Sequence, residues 1–169
     1  MRDKYFIMPS GSCTCGAVQI SFEGDPIGQV CQSCPLESFG RADRTIQGLC
    51  HCWSCRKLSG SAYTVNSIVP AANLKVTGKL KSYSRVAESG KTITNYFCDT
   101  CCDTIYGEGG FGDAKVVRMG IMDGDGLEGA KPAIEVYSER RLTWVEPVDG
   151  ALSMEGMGAA KDVVAGNAA

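Results

Sequence analysis

The sequence predicts a mainly β domain, built from antiparallel sheets with little helix. Three observations carry this: short runs that alternate apolar and polar residues, 21 glycines that divide those runs, and no stretch holding a 3.6-residue apolar period for three turns. Residues 17–23 open the series, with Val18, Ile20 and Phe22 set against Gln19 and Ser21, the pattern of a half-buried strand. Residues 63–69, 74–77, 80–86, 92–97, 115–122 and 134–138 follow, each rich in β-branched or aromatic residues and bounded by Gly, Asn, Asp or Pro. Ser89-Gly90-Lys91 reads as a hairpin turn that pairs 80–86 with 92–97. Residues 70–73 suffice for one helical turn. Residues 25–49 show no clear periodicity and read as a long loop or insertion. Beyond Trp144 the alternation gives way to Gly/Ala-rich sequence. The expected organisation is therefore a lead over 1–10, one domain over 11–145 carrying the 25–49 insertion, and a late-packing or unpacked tail over 146–169.

A length of 169 residues agrees with one domain at about 150 residues each. Lys and Arg number 17 against 19 Asp and Glu, and no block of like charges occurs. Neither the basic footprint of a nucleic-acid binder nor the polybasic patch of a membrane-surface protein is present. The apolar runs fall far short of the roughly 20 residues of a membrane span. Nor does the N-terminal stretch offer a secretory core of about 7–15 apolar residues. No nucleic acid, no membrane and a cytoplasmic location are expected.

Ten cysteines and a single histidine, His51, narrow the chemistry. A His-rich metal site cannot be built, and in a reducing compartment paired cysteines read as metal ligands. They fall into four groups: Cys13 and Cys15; Cys31 and Cys34; Cys50, Cys52 and Cys55; and Cys98, Cys101 and Cys102. Such spacing aims two or three thiolates at one centre while turn N–H groups donate to the sulfurs, so zinc is the expected cofactor, two ions per chain. Closed structural sites take four protein ligands, and catalytic sites take three. Cys13, Cys15, Cys98 and Cys101 supply four. Cys50, Cys52 and Cys55 supply three and leave a vertex open. In a competing assignment Cys31 and Cys34 join two of those three and close the site. His51, between two ligands, is expected behind the metal or in solvent, and Cys102 is expected as a small buried apolar residue.

These residues resemble a known family. Gly11-Ser12-Cys13-x-Cys15-Gly16-Ala17-Val18, Cys50-His51-Cys52-x-x-Cys55-Arg56-Lys57-x-x-Gly60-Ser61 and Phe97-Cys98-x-x-Cys101 occur in the order seen in the glutathione-dependent formaldehyde-activating enzyme and centromere protein V family. Gly120 to Asp123 and the stretch from Pro132 through Arg141 to Trp144 are also similar to it, so the resemblance spans about 11–145. It implies a zinc-bearing β-tent fold, a structural zinc on Cys13, Cys15, Cys98 and Cys101, and a catalytic zinc on Cys50, Cys52 and Cys55. It further implies a carbon–sulfur lyase that joins formaldehyde and glutathione into S-(hydroxymethyl)glutathione or reverses that step. Three features depart from the family pattern: the long 25–49 segment with Cys31 and Cys34, Cys102 where Gly is common, and Glu135 where His is common.

A glutathione-like substrate carries carboxylates. Arg56 and Lys57, directly after Cys55, are the expected substrate-binding cations, while Arg85 and Arg118 read rather as surface charges. Trp53 is expected either to wall the pocket or to pack in the core. His51, Asp123 and Glu135 are the available acid–base groups, and the sequence does not choose among them. The competing class of function is a zinc-stabilised binding module with both metals structural.

Overall fold

The structure is a computed structural model describing residues 9–23, 25–27, 44–124, 127 and 131–157. The alternating runs become strands β1 (Ser10–Ser12), β2 (Gln19–Phe22), β3 (Asp25–Ile27), β4 (Arg44–Cys50), β5 (Thr64–Val69), β6 (Leu74–Thr77) and β7 (Leu80–Val86). Strands β8 (Thr92–Cys98), β9 (Thr104–Phe111), β10 (Ala114–Arg118), β11 (Ile134–Val136) and β12 (Leu152–Met154) complete them. One α-helix, α1 (Trp53–Ser59), occurs among the described residues, beside short 3-10 turns. The mainly β expectation holds.

Strands β1, β2 and β6 form a small antiparallel sheet. The other strands form a nine-stranded sheet in the order β12-β11-β4-β5-β10-β9-β8-β7, with β3 also on β4. From β4 to β7 every pairing is antiparallel. The expectation of antiparallel sheets fails at the other end, where β3–β4, β4–β11 and β11–β12 are parallel. Parallel neighbours need a long crossover, and β4 and β11 are far apart in the chain. The expected hairpin joins β7 to β8 in register from Leu80↔Cys98 to Val86↔Thr92. Its turn is closed by the Ala87 N–H on the Lys91 carbonyl at 2.8 Å, with Gly90 at φ +77°.

Side chains alternate across each strand, and two surroundings result. Val18, just before β2, and Ile20 and Phe22 within it meet Val69, Ile105 and Val117 of the large sheet and Met119 of the turn after β10 in the main core, which also contains Cys13 and Cys98. A second, smaller cluster joins Cys50, Cys55, Ile134 and Val136.

Three expectations are corrected in outline. The 25–49 segment contains β3 and β4 rather than loop throughout, and β4 lies inside the sheet between β5 and β11. Its described side chains do not alternate, since Gln47, Leu49 and Cys50 are all buried, so no period-2 pattern marks it. Gly48 looks like a breaker, yet a Cβ there would lie 2.7 Å from Ile134 Cγ1, so the close approach of β11 requires it. The tail after 146 contributes β12 to the sheet edge. The expected 115–122 strand stops at Arg118 and turns as a 3-10 helix over Met119–Ile121. Cys31, Cys34 and most of the lead lie outside the described residues.

Candidate functional site: two sulfur clusters and a cavity

The first cluster joins two tight turns. Gly16 at φ +74° lets its N–H reach the Cys13 carbonyl at 2.7 Å, and after β8 the Cys102 N–H bonds the Cys98 carbonyl at 3.1 Å. The sulfurs of Cys13 and Cys15 are 3.5 Å apart, Cys13 and Cys98 3.5 Å, and Cys15 and Cys98 3.7 Å. With Cys101 all four lie within 4.8 Å of one another. A tetrahedron with zinc–sulfur bonds of about 2.3 Å has an edge of about 3.8 Å, so the set fits a zinc ion. The Val18 N–H donates to Cys13 Sγ at 3.2 Å and the Thr100 N–H to Cys98 Sγ at 3.4 Å. The Asp103 carboxylate accepts the Thr14 N–H at 2.6 Å and ties the two turns together.

Crowded thiols cannot all ionise without a cation, and these divide unevenly. Burial works to raise Cys13, but the Val18 N–H and the sulfurs of Cys15 and Cys98 outweigh it and draw its pKa down. Backbone N–H groups of Cys101 and Thr100 lower Cys98. Cys15 receives the Ala17 N–H, yet the neighbouring sulfurs, Cys13 foremost, push it up to about 12.

The second cluster sits where β4 runs into α1. Cys50 ends the strand, and Cys52 caps the helix at ψ 154°, its Sγ accepting the Cys55 N–H at 3.4 Å. The helix closes on Gly60, left-handed at φ +64°. The three sulfurs lie within 4.8 Å of one another and could hold a metal with one position left over. Cys50 is pushed upward by the sulfurs of Cys52 and Cys55, whereas Cys55 is held well below the usual thiol range by Cys50 and Cys52, with help from the Arg118 charge.

His51 turns away from the ligands on either side of it. It is fully buried, with Nε2 2.7 Å from Glu135 Oε1, and Arg141 donates to Glu135 Oε2 at 2.9 Å. Of the three acid–base groups named from sequence, the structure joins His51 to Glu135 but does not bring Asp123 to them. Asp123 is exposed and accepts from the Ser12 hydroxyl. Neither His51 nor Glu135 lines the cavity described next.

A cavity of about 230 Å³ opens beside Cys50, Cys52 and Cys55. Leu49, Ile68, Ile93, Phe111, Val116 and Ile134 make its walls apolar, and Tyr137 borders it. Tyr137 stands at φ +55°, a left-handed conformation that costs a bulky residue about 1–3 kcal/mol. The cations facing the cavity are Arg85, Lys91 and Arg118. Arg118 donates to the side-chain oxygens of Asn66 and, at 3.0 Å, Asn95. Glu108 also borders the cavity, but Lys115 and the Tyr96 hydroxyl engage its carboxylate.

Arg56 and Lys57 are not among the lining residues. The Arg56 guanidinium donates to the Ala62 carbonyl at 3.0 Å and to the Arg140 carbonyl, and lies 5.1 Å from the centre of the Trp53 ring. Its donors are spent on the fold, and Lys57 is exposed. Arg85 and Arg118, read from sequence as surface charges, face the site instead. Trp53 is 56% exposed and stacks at the rim, neither lining the cavity nor filling the core. Cys102 is exposed rather than buried, and its φ of +64° is the left-handed position that glycine fills at no cost. Asn66, Asn95 and Tyr137 were missed. A signal for the asparagines existed: Asn is rare in strands, yet each interrupts a β-rich run, TVNSIV and TITNYF.

Fold and site define a mainly β protein with two cysteine clusters suited to metal, one of them open to a cavity. The family model of the glutathione-dependent formaldehyde-activating enzyme matches residues 37–140, more than half of the chain, and the chain belongs to this family. The matched span includes Cys50, Cys52, Cys55, Cys98 and Cys101. No curated protein matches the chain. Among solved structures, the crystal structure of a Rhodobacter sphaeroides protein is similar at 18% identity and a TM-score of 0.45, covering 86% of this chain and 98% of that one. No helix among the described residues is long and apolar enough to cross a membrane.

Proposed function

We propose that the protein is a zinc-dependent carbon–sulfur lyase acting on a thiol adduct of the S-(hydroxymethyl)glutathione type. The carrying observation is that, among the described residues, Cys50, Cys52 and Cys55 converge with one ligand too few for a closed site and border a cavity. Membership of the formaldehyde-activating family supports the reaction class. In this reading Cys13, Cys15, Cys98 and Cys101 hold a structural zinc, and Cys50, Cys52 and Cys55 a reactive one. Zinc held there would keep a substrate thiol ionised near neutral pH.

The chain's own residues supply the rest. The apolar walls exclude water from the reacting sulfur, and Arg118 offsets the charge of the thiolates. In the forward direction the substrate sulfur bonds the carbonyl carbon, and the π pair moves to oxygen, which takes a proton. The reverse breaks the C–S bond and returns the proton to sulfur. Tyr137, packed against the cysteine cluster, is the proton donor of this scheme. Burial raises its phenol, so it is protonated at neutral pH and able to give a proton to the forming alkoxide. A cytoplasmic location, where thiols stay reduced, belongs to the same reading.

Exchange spectroscopy by NMR on mixtures of glutathione and formaldehyde tests it. The protein should accelerate interconversion with S-(hydroxymethyl)glutathione, and Cys52→Ser should abolish the acceleration. Acceleration equal to that of an albumin control, with two tightly held metals and no thiol effect on either, would replace the enzyme by a zinc-stabilised binding module.

A further inference from the structure

The cavity floor contains more hydrogen-bond donors than the protein uses. Arg118 sits across β10 and its neighbours, donating to Asn66 Oδ1 on β5 and Asn95 Oδ1 on β8. Because a guanidinium only donates, Asn95 must present its oxygen to Arg118, which leaves Nδ2 to another partner. None exists among the described residues: Asn95 is 1% exposed, and its Nδ2 is buried and unpaired. Arg118 Nε and Arg85 Nε are buried and unpaired as well. All three residues line the same cavity, and all three orphan atoms are donors. A buried donor left unpaired is costly, so three together point to a missing acceptor, and two guanidinium groups make that acceptor an anion.

The room for this arrangement is built in. A Cβ at Gly107 would stand 3.1 Å from Asn95 Oδ1 and 3.6 Å from Arg118 Nη2, so the glycine keeps β9 clear of the pair. The one carboxylate nearby, on Glu108, is held by Lys115 and Tyr96. Ile68, Ile93, Val116 and Leu49 give the same cavity an apolar wall.

We propose that Arg118, Asn95 and Arg85 form a carboxylate subsite, and that the substrate is a compact organic acid with an apolar body that also bears the thiol or thiol adduct. The sulfur end of this proposal rests on the function proposed above, whereas the carboxylate end stands on the orphan donors alone.

Calorimetry on the protein as purified, with mercaptohexanoate, its methyl ester and thiol-free hexanoate, tests both ends. The acid should bind about tenfold or more tighter than the ester, the scale of charge-assisted hydrogen bonds, and tighter than glutathione. Arg85→Met should reduce acid binding to the ester's level without changing the ester. Asn95→Leu should do the same; since Asn95 is buried, Arg85→Met decides should that variant misfold. Equal binding of acid and ester, or an unchanged acid in Arg85→Met, overturns the subsite. Visible spectra of the cobalt-substituted protein separate the two readings. Spectral change with acid and ester alike at equal affinity removes the subsite and keeps the thiol chemistry. Arg85-dependent hexanoate binding, with no thiol changing the spectrum, keeps the subsite and removes the thiol chemistry.

Discussion

The two cysteine clusters use one kind of ligand in opposite surroundings. Four sulfurs at Cys13, Cys15, Cys98 and Cys101 sit against the main core, on turns tied together by Asp103 and Thr14. Three sulfurs at Cys50, Cys52 and Cys55 sit on a strand-to-helix junction, against a smaller apolar cluster and beside a cavity with three cations. Chemistry at the ligand atoms is therefore the same, and ligand number and neighbours set the difference. A closed quartet has no position for substrate, while a trio has one and a place to put the rest of the molecule.

The largest expected effect breaks the quartet. Structural zinc is worth on the order of 10–16 kcal/mol, as much as the stability of a whole domain. Cys98→Ser should yield insoluble protein or one without cooperative melting by circular dichroism. Cys52→Ser should instead fold and lose one of two metals by elemental analysis. The opposite order would reverse the two assignments.

Chelation sharpens the same contrast without mutation. Titrating a chelator should first remove the metal of the trio, which abolishes thiol binding while the near-ultraviolet dichroism stays native. Unfolding should follow only at higher chelator, when the second metal leaves. A single step with simultaneous unfolding would place both metals in structural roles.

The buried chain behind the trio gives a smaller effect. Glu135 accepts from Arg141 and contacts His51, whose backbone continues into Cys52. Glu135→Gln should weaken metal affinity at the trio alone, by about tenfold to a hundredfold, measured by competition with a chromogenic chelator. Equal weakening at the quartet would mean that the substitution acts through general instability.

The smallest effect lies at Asp103. Its carboxyl is held below the usual carboxylate range by the Thr14 N–H. This bond contributes fully above the ordinary carboxylate pKa and is lost as pH falls through the depressed one. Asp103→Asn should cost no more than about 1 kcal/mol in this solvent-screened position, and only above that range. Thermal melts of wild type and variant should converge in acid. A constant difference at all pH values would assign the effect to packing.

Legibility in the sequence followed the range of the interactions. Strands β6 and β7 were read to the residue because runs of four to seven β-forming residues bounded by Asn, Gly or Ala are a local property of the chain. Strand β4 was not, because Gln47, Leu49 and Cys50 are buried without alternation, and Gly48 answers to a contact with Ile134. Strand β9, with Gly107, Gly109 and Gly110, hid for a similar reason: Gly109 at φ +92° would bring a Cβ to 2.2 Å from the Thr92 carbonyl oxygen.

The sequence by itself determined the mainly β class and the local pairs and trio of cysteines, since turns of two or three residues converge ligands whatever surrounds them. Tertiary structure alone decided which charges face the three-sulfur cluster. Proximity in sequence favoured Arg56, but α1 turns its guanidinium onto Ala62 and Arg140, while Arg118 and Arg85 arrive on β10 and β7. Their approach depends on which strands become neighbours in a sheet. That pairing is settled by burial across the whole chain, and no short-range pattern encodes it.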